Sequence, residues 1–123
     1  MSHVVSIKTE VRDVAAIRAA CRRLNIDEPE QGTFKLFSGE ATGVAVRLPD
    51  WTYPIVFDLA TGKLNFDNYA GRWGDQKELD AFLQGYAIEK ARLESHKRGH
   101  TLTERKLANG SIKLTIQIAG GTG

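Results

Sequence analysis

The chain has 123 residues, of which 41% are hydrophobic and 26% charged, which suits one folded domain and excludes a disordered chain. Its 17 basic and 15 acidic residues give a net charge of +2, too near balance to predict nucleic-acid binding by itself. No apolar run approaches the roughly 20 residues that span a bilayer, the N-terminus lacks a secretory pattern, and the single cysteine cannot form an internal disulfide. We therefore expect a cytoplasmic protein that does not bind membranes.

The first half of the chain predicts one strand, one amphipathic helix and four further strands. Residues 4–11 alternate between apolar and polar side chains, as in a half-buried strand. Asp13 is a candidate N-cap for a helix that turns Ile17 and Cys21 inward. The middle of the chain predicts a turn over 39–43, a tight hairpin at Gly62, and strands over 33–37, 44–48, 55–59 and 64–66.

The second half predicts a long helix and a hairpin. Asp75 and Glu78 form a capping-box pattern at the start of the helix, and Gly99 suits its C-terminal end. Asn109-Gly110 is the strongest short signal for a hairpin turn, and apolar residues alternate in the strand that follows it.

The resulting element order is β-α-ββββ-α-ββ. This order predicts an α+β fold, a two-layer sandwich in which an antiparallel sheet carries two helices on one face. We expect a single domain over residues 1–118 and a flexible glycine-rich tail over 119–123.

Short segments along nearly the whole chain carry a family resemblance. They are Met1-Ser2-His3, Ile7-Lys8-Thr9, Arg12-Asp13, Trp73-Gly74, Gln84-Gly85-Tyr86-Ala87 and Gly110-Ser111-Ile112-Lys113-Leu114. In these segments the chain resembles the uncharacterised family named after chloroplast hypothetical reading frame thirty-five. The family often has an Asp-Trp-Trp-Gly run where this chain has Gly71-Arg72-Trp73-Gly74, so a site built on paired tryptophans would be changed here. The resemblance implies no settled reaction; it implies a partner protein, because members are often encoded beside an ATPase of the AAA+ class.

The segment from Tyr69 to Gly74 is the main candidate site. It precedes a helix N-terminus, which suits an anion, and Arg72 offers a bidentate contact while Tyr69 or Trp73 offers a stacking face. In the purely structural interpretation, Trp73 fills the sheet edge, Gly74 permits the turn and Asp75 caps the helix. The candidate partner- or ligand-binding residues are Tyr69, Arg72, Trp73, Gly74, Lys8 and Arg12.

The histidines and the cysteine do not form a pattern that predicts a catalytic residue, a metal site or a cofactor. His96 and His100 are four residues apart, but Gly99 should end the helix between them and no further ligand lies near in sequence. Cys21 lies on the inward stripe of the first helix, where a free cysteine behaves as a small hydrophobe.

Asp58 and Asp67 are placed to face each other across the central hairpin. Paired carboxylates can divide acid and base roles, although two aspartates near strand ends are more often turn and solvent groups.

Together these patterns favour a non-catalytic protein-interaction or adaptor module that acts with a partner such as an AAA+ ATPase. The alternative is a small-ligand or nucleic-acid binding domain that uses the basic helix faces and the Tyr69-to-Gly74 loop. Nucleic acid is the weaker of these ligands, because Glu89 and Glu94 interrupt the basic face of the second helix. An enzyme is the third possibility.

Overall fold

The computed structural model describes residues 4–118, apart from the side chains of Lys8 and Ala70. The predicted tail over 119–123 lies outside the described residues. The predicted α+β fold and element order are confirmed. The elements are β1 (Val5–Lys8), α1 (Val14–Arg23), β2 (Glu30–Leu36), β3 (Gly39–Val46), β4 (Ile55–Asp58), β5 (Lys63–Phe66), α2 (Gln76–Lys97), β6 (Thr101–Lys106) and β7 (Ile112–Gln117). Neither of the described helices combines the length and the apolar character needed to cross a membrane.

The chain divides into two compact units at a point inside α2. The first unit, Met1–Tyr86, holds a five-stranded antiparallel sheet with strand order β1-β5-β4-β3-β2, together with α1 and the beginning of α2. The second unit, Ala87–Gly123, holds the rest of α2 and the two-stranded sheet β6-β7. The strands therefore form two sheets, a division that the alternation within each strand does not reveal.

One face of the five-stranded sheet carries the larger apolar core. The register aligns Val44, Phe57 and Leu64 across β3, β4 and β5, and all three side chains are buried. The ring of Phe57 packs on Phe82 of α2 with 5.7 Å between ring centroids. This contact places Phe82, which belongs to the apolar stripe of α2, against the face of the sheet that carries Phe57.

The helices begin and end where the sequence predicts. The carboxylate of Asp13 accepts a hydrogen bond from the backbone N–H of Ala15 at 2.9 Å, and that of Asp75 accepts from the N–H of Lys77 at 2.9 Å. Gly99 follows the end of α2 with φ of +74°, a conformation that glycine adopts at little cost.

The turn predicted over 39–43 is wrong. Residues of β2 and β3 pair from Leu36 and Gly39 outward, so that only Phe37 and Ser38 form the turn. Gly43 lies inside β3, where an added Cβ would be 2.1 Å from the carbonyl oxygen of Phe57. Glycine is required there by the close approach of two strands rather than by a change of chain direction.

The first strand is also shorter than predicted. β1 ends at Lys8, and Glu10 has a φ of +60°, which is incompatible with a continuous strand. Val11 is nevertheless buried, whereas Ile7, which the alternation sets on the same face, is 36% exposed.

Candidate functional site

The second face of the five-stranded sheet is also apolar. A small buried cluster on this face consists of Leu36, Ala41, Ala45 and Val56, and the partly buried side chains of Val4, Phe34 and Tyr53 pack against it. The register sets these residues on the face opposite Phe57, because Ala45 pairs with Val56 and side chains alternate along a strand. The face of the sheet opposite Phe57 therefore carries a second, smaller apolar core.

Four aromatic rings meet at this face and are called here the aromatic cluster: Phe37, Tyr53, Tyr69 and Trp73. Trp73 is at its centre, with ring-centroid distances of 4.8 Å to Phe37, 5.6 Å to Tyr53 and 4.7 Å to Tyr69. The guanidinium of Arg72 lies over the Tyr69 ring at 5.2 Å, within cation–π range. Phe37 is 55% exposed although it contacts Trp73, so the cluster presents an aromatic surface to its surroundings.

Asn68 holds the loop that carries Tyr69 and Trp73. Its carbonyl oxygen accepts hydrogen bonds from the backbone N–H groups of Gly71 at 3.0 Å and Trp73 at 2.9 Å. Its side-chain amide donates to the carbonyl oxygen of Gly74 at 3.3 Å. Within this closed turn Tyr69 has a φ of +47°, an unfavourable conformation for an aromatic residue that persists only where the surroundings enforce it.

Trp51 packs against the loop at Gly74. The sequence did not predict Trp51 as part of the candidate site. Its indole N–H donates to the carbonyl oxygen of Asp75 at 3.1 Å, and its ring meets that of Phe66 edge-on at 5.8 Å. The ring lies directly against the backbone of Gly74, where an added Cβ would be 2.2 Å from an indole carbon. The absence of a side chain at Gly74 leaves room for the Trp51 indole. The two residues are too far apart in sequence for a spacing pattern to predict this contact.

The structure does not bring Lys8 or Arg12 to the loop. The guanidinium of Arg12 donates to the carbonyl oxygens of Ala60 at 2.7 Å and Thr61 at 3.2 Å, in the turn between β4 and β5. The backbone of Lys8 pairs with Lys63 at the start of β5, and its side chain lies outside the described residues. The loop follows the opposite end of β5. The structure therefore separates these two candidates from the loop, and Arg12 fastens a hairpin turn.

Asp67 is buried at the base of the loop, directly after β5. It is 1% exposed, and neither carboxylate oxygen has a hydrogen-bond partner among the described residues. The predicted pairing with Asp58 is wrong, because Asp58 lies opposite Lys63 in the register of β4 and β5. A buried carboxyl group without a hydrogen-bond partner costs free energy.

Cys21 and the histidines have surroundings that do not favour catalysis or metal binding. Burial, with a smaller effect from Glu28, raises the pKa of the Cys21 thiol to about 11, so the thiol stays protonated near neutral pH. His96 is exposed on the last turn of α2, and His100 follows the helix end. Within residues 4–118, no three His, Cys, Asp or Glu side chains gather where they could hold a metal ion.

Several side chains of the basic helix faces pair with carboxylates. On α1, Arg18 and Arg22 contact the two carboxylate oxygens of Glu28 at 3.1 and 3.3 Å. On α2, Lys90 donates to Glu94 at 3.0 Å. These pairs reduce the local positive charge that nucleic-acid binding requires.

Comparisons with known proteins identify no relative. The chain matches no protein-family model, no curated protein and no solved structure. The resemblance to the reading-frame-thirty-five family stays a prediction, and so does its AAA+ partner. The aromatic cluster, the buried Asp67 and the paired basic faces are the observations that bear on function.

Proposed function

We propose that the chain is a non-catalytic protein-interaction module that docks a partner protein through the aromatic cluster and Arg72. The observation that carries this proposal is the exposed ring of Phe37 resting on Trp73. Aromatic and arginine side chains are enriched at protein interfaces and supply most of their binding energy. A partner that covers Phe37 and contacts Arg72 would use both kinds of side chain at one place.

The cluster is also held ready for binding. Trp73 contacts three other rings, its carbonyl oxygen accepts a hydrogen bond from the N–H of Thr52 at 2.8 Å, and its N–H donates to Asn68. Side chains already fixed in the free protein lose little conformational freedom on association. This preorganisation favours a docking surface over a mobile loop.

The partner we propose is an AAA+ ATPase, and the shared compartment is the cytoplasm. The family resemblance supports the partner, while the composition supports the compartment. The non-catalytic assignment is supported by the protonated thiol of Cys21 and by the position of Asp58 opposite Lys63. The alternative, nucleic-acid binding through the basic helix faces, is weaker because the arginines of α1 already pair with Glu28.

The proposal is tested by measuring the binding affinity between the purified wild-type chain and an AAA+ ATPase from the same genome. Phe37→Ala and Arg72→Ala should each weaken binding about tenfold or more, as expected for interface anchors. Leu107→Ala is the matched control, because Leu107 is an exposed apolar residue of the second unit.

Two results would overturn the proposal. One is equal binding by wild type and both cluster variants at unchanged thermal stability, which would place the interface elsewhere. The other is substrate turnover by the purified chain alone, which would contradict a non-catalytic module.

A further inference from the structure

The second unit contains a cleft of about 420 Å³ where α2 ends beside the segment of β7. Its volume falls within the roughly 300–1,000 Å³ range of small-molecule sites. The residues that line it, all from the second unit, are Ala91, Glu94, Ser95, Arg98, His100, Ile116 and Ile118. None of them belongs to the aromatic cluster, so the cleft is a separate candidate site.

One wall of the cleft is apolar and open. Ile116 is 51% exposed and Ile118 is 63% exposed, and Ala91 lies on the same cleft. Large exposed apolar side chains that share a concave surface commonly mark a binding site. Covering these residues with hydrocarbon would be favourable by roughly 25 cal/mol for each Å² removed from water.

The cleft also holds a cationic group, Arg98, which acts on Glu94 through its charge. The guanidinium of Arg98 makes no hydrogen bond or ion pair among the described residues. The planar fork of an arginine fits a carboxylate with two parallel hydrogen bonds.

Glu94 is the acidic group that faces the cleft, and its charge is already offset. Lys90 donates to it at 3.0 Å, and Lys97 lies 3.8 Å from the same oxygen. The hydrogen bond from Lys90 is the main reason that the pKa of Glu94 lies below its usual value. The carbonyl oxygen of Ser95 accepts from two backbone N–H groups that follow the helix, so the helix end presents less unpaired negative charge.

We propose that this cleft binds a small apolar carboxylate. Its carboxylate pairs with Arg98, and its hydrocarbon part covers Ile116 and Ile118. A free acid fits better than a protein surface, because the cleft is small and concave and its lining combines a cationic group with apolar side chains.

Titration of the full-length protein with three probes tests whether the cleft prefers a negatively charged ligand. The probes carry hydrocarbon chains of equal length and differ in their head group. The probes are octanoate, octanamide and octylamine, and binding is followed by amide chemical shifts in two-dimensional NMR. We expect octanoate to bind about tenfold or more tighter than octanamide, with shifts concentrated between Ala91 and Ile118. Octylamine should bind no better than octanamide.

Variants then separate the polar and apolar contributions. Arg98→Gln should lower the octanoate affinity about tenfold and leave octanamide unchanged, whereas Ile116→Ala should weaken both probes. Arg105→Gln is the matched control, since this exposed arginine of β6 does not line the cleft. If Ile116→Ala loses its dispersed amide spectrum, Ile118→Ala replaces it.

Three outcomes would overturn the proposal. The first is no octanoate binding at millimolar concentration, and the second is equal binding of octanoate and octanamide. The third is a concentration-dependent dimer that Ile116→Asp abolishes, which would make a second copy of the chain the occupant of the cleft.

Discussion

Replacing Gly74 with alanine should destabilise the first unit by about 2–4 kcal/mol. An ideal Cβ at this position would lie 2.2, 2.4 and 2.7 Å from three carbons of the Trp51 indole. Carbon atoms do not approach this closely without bonding, so the indole or the loop must move. The indole is the more movable group, since the backbone of Gly74 is held by Asn68.

The expected loss follows from what the displaced indole gives up. Its hydrogen bond to the carbonyl oxygen of Asp75 contributes about 1 kcal/mol, and its edge contact with Phe66 contributes about 0.5–1.5 kcal/mol. Overpacking at a well-packed site adds about 1–3 kcal/mol of strain. These contributions overlap, which gives the range stated above.

Urea unfolding followed by tryptophan fluorescence measures this effect, because Trp51 and Trp73 both lie in the first unit. Gly39→Ala is the matched control and should change stability by less than about 0.5 kcal/mol, since its added Cβ would meet nothing nearer than Val4 at 4.0 Å. In a Trp51→Ala background, Gly74→Ala should cost less than about 1 kcal/mol. An unchanged cost in that background would refute the explanation by the indole.

Three further substitutions probe separate features. Asp67→Val should raise the free energy of unfolding by about 1 kcal/mol, because it removes two buried carboxyl oxygens that have no hydrogen-bond partner among the described residues; a loss of stability in urea would contradict this. The pKa of Cys21 is raised from 9.0 to about 11 in the folded chain, so above pH 9 the unfolded chain loses the thiol proton first. Relative to Cys21→Ala, the wild type should lose about 2 kcal/mol of stability as pH rises from 9 to 11, and parallel pH curves would exclude this. Arg12→Ala should cost about 1–2 kcal/mol through its lost hydrogen bonds to Ala60 and Thr61, with Arg12→Lys restoring only part of it; thermal unfolding of the three chains checks the order.

The sequence by itself determined the order of elements, because each depends on neighbours a few residues away. Asp13 and Asp75 cap their helices, Gly99 follows the end of α2, and Asn109-Gly110 lies between β6 and β7. A cap or a short hairpin turn is defined by hydrogen bonds among residues only a few positions apart in the chain. The candidate loop from Tyr69 to Gly74 was also visible, since its composition is unusual over a short window.

Only the tertiary structure decided which residues complete the site. Trp73 acquires Phe37 and Tyr53 as neighbours because strand pairing brings together the segments that follow β2, β3 and β5, whereas Arg12 is held at the far end of β5. The same applies to Gly43, which resembles a turn glycine in sequence but lies against the carbonyl of Phe57. Such contacts join segments that are distant in sequence, and the pattern within each segment does not indicate its partner. Strand register determines which side chains share a face of the sheet.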